Sequence, residues 1–296
     1  MRFLLAVLLA LALVQPGFAA TARERLVVEP AWLAKRLDDP ALVILQVGDR
    51  AGYAAGHFPG AHLVSLADFA APPRGPDPLI LELPEPEALR ARLMALGVSQ
   101  RSPIVVVPTR DGIQSATRVV FTLDAAGLGR RTVLLNGGTA AWKAAGGALS
   151  TEVPAPQPGR LRPIRFKPLV VDADFVKANA RRRGYAVVDA RAPEFFSGAR
   201  SGGTAARPHK AGHVAGARSV PFVDVTTPDL TLASPKAIAE RFKAAGVKKG
   251  DTVIAYCHVG QQASATLFAA RALGLDVLLY DGSFEDWSRR DGAVEK

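Results

Sequence analysis

Cysteine occurs once in these 296 residues, at Cys257. One thiol cannot close an intramolecular disulfide, so no covalent staple supports the fold. After the apolar run Phe3–Val14, no stretch approaches the length needed to cross a membrane. Basic residues are scattered apart from Arg181-Arg182-Arg183 and the stretch from Arg200 to Lys210, and neither cluster carries interleaved aromatics or a nucleic-acid motif. The formal net charge of +10 therefore reads as solubility plus attraction for small anions, with no nucleic acid as partner.

What is present begins with length. A chain of this size, with ordinary apolar and charged fractions, buries a large core and is expected to form two domains. Residues 1–19 are expected to be a signal peptide. Arg2 supplies the positive start, Phe3–Val14 the apolar core and Gly17-Phe18-Ala19 a small-residue cleavage site. Ala20-Thr21-Ala22 offers the alternative, cleavage after residue 22. The mature protein is then periplasmic or secreted, soluble, without stable membrane insertion, and expected as a monomer. An exported protein that keeps one thiol is either burying it or using it.

The surroundings of that thiol favour use. The β-branched stretch Thr252–Tyr256 precedes Cys257, and His258-Val259-Gly260-Gln261-Gln262-Ala263-Ser264 follows it. A helical pattern then runs through Leu267, Phe268, Ala270, Arg271 and Leu273 to Gly274. A thiol between a buried strand and a helix N-terminus is ringed by backbone N–H groups, which favour an anion on sulfur. On this reading its pKa falls. A lone cysteine acting as a small buried hydrophobe is the alternative.

The chain repeats itself. Gly56-His57-Phe58-Pro59-Gly60-Ala61-His62 follows the strand-like run 42–47, and Gly212-His213-Val214-Ala215-Gly216-Ala217-Arg218 follows 186–190. A helical pattern at 87–96, ending Gly97-Val98, matches 236–245, ending Gly246-Val247. The apolar runs 104–107 and 253–256 come next in each half. Leu134-Leu135-Asn136-Gly137-Gly138 with Trp142 matches Leu279-Tyr280-Asp281-Gly282-Ser283 with Trp287. The order is kept throughout, so the repeat is a duplicated domain. An N-terminal domain is expected over 26–151, a Pro-rich linker over 152–166 and a C-terminal domain over 167–293. Short apolar strands alternating with amphipathic helical stretches imply an α/β class, with a mainly parallel central sheet and helices on both faces of each domain. Ligands of such sheets sit beyond the carboxyl ends of the strands, where Cys257 lies.

Asp189-Ala190-Arg191, Gly212-His213-Val214-Ala215-Gly216-Ala217, Tyr256-Cys257 with its loop, and Tyr280-Asp281-Gly282-Ser283 with Trp287 resemble the rhodanese-like sulfurtransferases. The resemblance covers nearly the whole mature chain as two tandem rhodanese-like domains. It implies that the second domain carries the catalytic cysteine, and that the first is an inactive copy walling the cleft. The first-half loop agrees, reading Val107-Pro108-Thr109-Arg110-Asp111-Gly112-Ile113-Gln114. The implied chemistry is sulfur transfer without a cofactor or metal. A small anionic donor such as thiosulfate or 3-mercaptopyruvate leaves a sulfane sulfur on Cys257, and cyanide or a thiol takes it. The persulfide anion then needs N–H donors, expected from residues 258 to 264. A phosphatase of related fold needs Cys-x5-Arg, and Ala263 and Ser264 stand where that arginine would be. A non-catalytic binding module is the other alternative.

The donor's grip is less legible. Members of thiosulfate type carry basic residues in the loop, whereas this one offers His258 alone, which could bind an anion, tune the thiolate or face solvent. The family's arginine four positions past Asp-x-Arg is replaced by Phe195, aligned with Tyr53 of the first half. Positive charge could come from the insertion 199–211, with Arg200, Arg207, His209 and Lys210, which is either a substrate-binding loop or a disordered one. Asp189 and Arg191 read as a pair that fixes its loop or orients the site. His213 recurs as His57 in the half without cysteine and reads as a packed, hydrogen-bonded turn. Trp142 and Trp287 read as core anchors.

Overall fold

The computed structural model describes residues 20–109, 112–155 and 157–296. The expected signal peptide lies outside them, as do Arg110 and Asp111 of the first-half loop.

In the first half the apolar runs become β1 (Val27–Val28), β2 (Val43–Val47), β3 (Ala61–Val64), β4 (Ile104–Pro108) and β5 (Thr132–Leu135). Five α-helices accompany them: α1 (Pro30–Ala34), α2 (Arg50–Ala55), α3 (Pro86–Ala95), α4 (Ile113–Ala125) and α5 (Gly138–Ala144). The second half repeats the plan with β6 (Val170–Val171), α6 (Ala173–Asn179), β7 (Tyr185–Asp189) and α7 (Pro193–Phe196). The insertion follows as a small hairpin, β8 (Gly203–Thr204) and β9 (Arg207–Pro208), then β10 (His213–Val214) and β11 (Arg218–Ser219). The remainder is α8 (Pro235–Ala244), β12 (Thr252–Tyr256), α9 (Gln261–Ala272), β13 (Val277–Tyr280), α10 (Ser283–Arg289) and β14 (Val294–Glu295).

The two central sheets have the same order, β3-β2-β4-β5-β1 and β11-β7-β12-β13-β6, and every neighbouring pair in them is parallel. Strands β2 and β4 are buried along their whole length, as parallel strands covered on both faces must be. That is why they read as apolar runs rather than alternating ones, with β2 interrupted by the buried Gln46, whose Oε1 accepts from Phe58 N–H at 3.0 Å. The register fixes the equivalence of the halves: Val47 pairs with Pro108 where Asp189 pairs with Tyr256. Thr109 therefore takes the place of Cys257.

The halves meet along α4 and α9. Their small and apolar side chains, Ala116, Val120, Ala263 and Leu267 among them, join one buried cluster that spans both domains and includes Cys257. Each fully buried Leu or Val in such a cluster contributes about 1.5–3 kcal/mol. Each half also sends a loop onto the other. The backbone is left-handed at Leu81 (φ 61°) and Leu230 (φ 59°). Leu83 N–H bonds Asp281 of the second half at 2.8 Å, and Leu230 accepts from Gly137 N–H of the first at 3.1 Å. The linker lies along the first domain. Gly159 N–H donates to Met94 O at 2.7 Å, and Arg90 Nε to Leu161 O at 2.9 Å.

Candidate active site

Strand β12 delivers Cys257 to the carboxyl edge of its sheet, and the chain turns at Gly260 (φ 86°), the residue before α9. The backbone amides of Val259, Gly260, Gln262 and Ala263 favour an anion on the sulfur. The side chains of the loop turn elsewhere. Ser264 Oγ donates to Gly260 O at 2.9 Å, and Gln261 Nε2 donates to Ser115 Oγ of α4 at 2.8 Å. Cys257 is 1% exposed, and this corrects the expected direction of its pKa. Burial pushes the Cys257 thiol up and outweighs the amides that pull it down. The cradle is present, but it surrounds a thiol whose neutral form burial favours.

Below the sulfur lies a buried polar network. The fully buried Arg191 grips Asp189 with Nε–H to both carboxylate oxygens at 3.0 Å and with Nη2–H to Oδ2 at 2.6 Å. Nη2–H also donates to Gly212 O at 2.7 Å. Tyr256 O–H donates to Asp189 Oδ2 at 2.8 Å and accepts from Val214 N–H at 3.0 Å. Its phenol is pushed well up, by burial first and by Asp189 second. The Arg191 guanidinium stacks over Phe284 at 3.9 Å. Its remaining nitrogen, Nη1, is buried with no hydrogen-bond partner among the described residues. Asp189 thus orients Arg191, and Arg191 keeps one spare donor and its charge beside Cys257.

The rim is made by the insertion. His258 stacks with His209 (centroids 5.6 Å apart) and meets Phe195 edge-on at 4.6 Å. Gly202 packs so tightly that a Cβ there would lie 2.7 Å from His258 Nδ1, so the hairpin closes directly over the cysteine loop. Burial, then Arg191, His209 and Arg200, hold the His258 pKa down to about 4. His258 is therefore neutral at physiological pH and gives no cationic help to the thiolate.

Two expected substrate contacts are corrected by the structure. Arg207 binds the first domain: Nε sits 2.8 Å from Asp77, and its Nη groups donate to Pro78 O and Pro76 O at 3.3 and 3.1 Å. Lys210 Nζ donates to Arg290 O and Gly292 O at 2.5 and 3.0 Å, strapping the C-terminal segment. Both cations are consumed by backbone carbonyls distant in sequence. Of the insertion's basic groups, Arg200 reaches the rim, over the Phe195 ring at 4.9 Å. The alignment of Phe195 with Tyr53 also shifts by one residue. Tyr53 stacks on His57 as Phe196 stacks on His213, and each histidine Nδ1 lies 2.8 Å from the carbonyl of its partner. Helix α2 follows Asp49 and α7 follows Ala192, so the second half carries one extra residue before its helix.

Arg118, which the sequence did not single out, supports the site together with Asp281, Ser283 and the start of α10, which it offered only as part of a repeated motif. Ser283 holds a left-handed backbone (φ 53°). Its Oγ accepts from Cys257 N–H at 3.3 Å and donates to Tyr280 O at 2.9 Å. The start of α10 then bonds the loop carbonyls, Phe284 N–H to Cys257 O at 2.9 Å and Glu285 N–H to His258 O at 3.0 Å. Asp281 and Arg118 form a buried ion pair of 2.6 Å across the domain boundary. Arg118 is the one basic residue of α4, in a stretch, residues 115–125, that is buried throughout. Among the described residues, no group of three or more His, Cys, Asp or Glu side chains is placed to hold a metal ion.

Comparison with known proteins agrees with this geometry. The family model described as Rhodanese-like domain matches residues 29–145 and again 172–290. A Pseudomonas aeruginosa protein named "Probable 3-mercaptopyruvate sulfurtransferase" is 34% identical over 269 residues, covering 86% of this chain and 92% of the relative. A thiosulfate sulfurtransferase of the same organism is 33% identical over 272 residues, covering 91% and 97%. Among solved structures, SseA from Escherichia coli, described under 3-mercaptopyruvate sulfotransferases, superposes with a TM-score of 0.74. It is 26% identical, over 87% of this chain and 98% of that one.

Proposed function

The chain belongs to the rhodanese-like domain family, as two tandem copies, and from that premise we propose that it is a sulfurtransferase working through a persulfide on Cys257. One observation carries the reading: the sole thiol sits in a ring of backbone amides at the carboxyl end of the central strand, within the field of the buried Arg191 guanidinium. Thiolate is the nucleophile. It attacks the outer sulfur of thiosulfate, the bond to the sulfonate sulfur breaks, and sulfite leaves with the electron pair. Cyanide then takes the outer sulfur as thiocyanate and the thiolate is regenerated. Once the thiol has lost its proton, the negative charge stays on sulfur through both steps, so the amides stabilise the thiolate and the persulfide anion while Arg191 draws in the anionic donor.

The first-half copy keeps the sheet, the helices and the histidine turn, but has Thr109 where the sulfur would be. A hydroxyl there carries no sulfane sulfur, so the first domain serves as a wall. Relatives of both donor types resemble the chain, and 3-mercaptopyruvate is the second reading. Its carboxylate would meet the same Arg191. Turnover is read as thiocyanate formed from cyanide with each donor in turn, for the wild type and for Cys257→Ser. Activity with at least one donor that vanishes in Cys257→Ser supports the reading, and no turnover with either overturns it.

Export completes the proposal. The charge and apolar pattern of residues 1–19 fit a cleaved leader, and the mature protein would act as a monomer in the periplasm or outside the cell. N-terminal sequencing of the protein from intact cells tests this, and retention of residues 1–19 would overturn it.

A further inference from the structure

Arg118 belongs to the half that lacks the cysteine, yet it ends at the cysteine loop. Its side chain is 1% exposed, and Nη1 lies 2.6 Å from Asp281 Oδ1. Another nitrogen, Nη2, donates to Leu81 O. Gly260 packs against the pair: a Cβ there would meet Arg118 Nη1 at 2.9 Å and Asp281 Oδ1 at 3.2 Å. Gly260 is the left-handed residue that opens α9, and its own amide faces the sulfur. Asp281 is tied in turn to Leu83 N–H of the first domain.

The duplication supplies a control for this arrangement. The repeated motif makes Asn136 the counterpart of Asp281, since the left-handed residues Gly138 (φ 51°) and Ser283 (φ 53°) open α5 and α10 two positions later. Helices α4 and α9 start from Gly112 and Gly260, which makes Thr266 the counterpart of Arg118. Among the described residues, the mirror position shows no ion pair. Thr266 Oγ1 bonds Val220 O at 3.3 Å, and Asn136 Nδ2 bonds Glu29 Oε1 at 2.9 Å. A buried ion pair carries a desolvation cost that neutral side chains avoid, and Arg118 Nε, Arg118 Nη1 and Asp281 Oδ1 are all buried without a hydrogen bond among the described residues, so the pair is held by charge. Among the described residues, the fold bears that cost at the sulfur-bearing loop and not at the positions that mirror it.

Resting on the sulfurtransferase reading, we propose that Arg118 is a positioning residue for that reaction. Paired with Asp281, it fixes Gly260 so that the loop amides converge on Cys257 when the sulfur becomes an anion. The inactive domain is thus a working part of the catalytic one.

The test uses the full chain, the double variant Arg118→Thr with Asp281→Asn, which installs the neutral mirror pair, and Arg118→Lys. Three quantities are read: the urea midpoint, the pH profile of iodoacetamide alkylation at the single cysteine, and kcat and KM for thiosulfate with cyanide. The double variant is expected to unfold cooperatively, while the alkylation midpoint rises by about one pH unit and kcat falls about tenfold. KM is expected to stay within about threefold, because the donor's anion contacts are elsewhere. Arg118→Lys, which keeps the charge but not the fork, is expected to fall between the two. If the double variant does not fold, the same upward shift in Arg118→Lys carries the proposal and an unmoved profile there overturns it. An alkylation midpoint within about 0.2 units of wild type, with kcat within about threefold, overturns it as well. A wild type that never turns over, with a shifted profile in the variants, leaves the positioning role standing and removes the sulfurtransferase reading.

Discussion

Acidification should strike this protein at His258, and by an amount the structure sets. The ring is pressed among His209, Phe195 and the backbone of Gly202. Burial and the charges of Arg191, His209 and Arg200 lower its pKa from 6.5 to about 4. An unfolded chain binds a proton at this residue near pH 6.5, and the folded chain resists it until about pH 4. Stability from the neutral ring is therefore fully present above about pH 6.5 and is lost as pH falls toward 4. At about 1.4 kcal/mol per unit, the separation sets a ceiling of about 3 kcal/mol. His209 is lowered for similar reasons, by burial and then by Arg191 and Arg289, so it adds in the same direction. Carboxylates titrate in the same window, and a comparison removes them. Urea unfolding of wild type and His258→Gln at about pH 7, 5.5 and 4 should show the variant losing about 2–3 kcal/mol less. Parallel losses in the two proteins would refute the reasoning. At neutral pH the same variant should keep sulfur transfer within about threefold, since a neutral ring supplies no charge.

Two further outcomes follow from the polar contacts. Arg191→Met leaves the fully buried Asp189 without a counter-charge and should cost about 3–5 kcal/mol in urea unfolding, and a loss below about 1 kcal/mol would contradict the network. Arg207→Ala removes a partly exposed bridge to Asp77 and should cost about 1 kcal/mol or less, with the KM for thiosulfate within about twofold. A large rise in KM would put Arg207 back at the donor site.

Much of the architecture was legible because parallel strands buried on both faces leave mainly apolar, non-alternating runs, as in β2, β4 and β12. The duplication made each half a check on the other, and the missing thiol in the first half singled out Cys257. What stayed hidden depends on long-range burial. The amides around the sulfur follow from a strand–loop–helix junction, but the direction of the thiol pKa depends on how completely other segments cover it. Arg207 and Lys210 looked free in sequence because their carbonyl partners lie 129 and 80 residues away. The pairing of Tyr53 with Phe196 was missed by one position, because an extra residue precedes α7. Arg118 carries no local motif, and its role is visible once α4 is seen packed against α9.

The central claim is that Cys257 carries the transferred sulfur. Its most direct measurement is the mass of the Cys257 peptide after incubation with thiosulfate, with 3-mercaptopyruvate in parallel. A mass greater by one sulfur atom, lost again on adding cyanide and absent from Cys257→Ser, is the result predicted here. An unchanged peptide with both donors would contradict it.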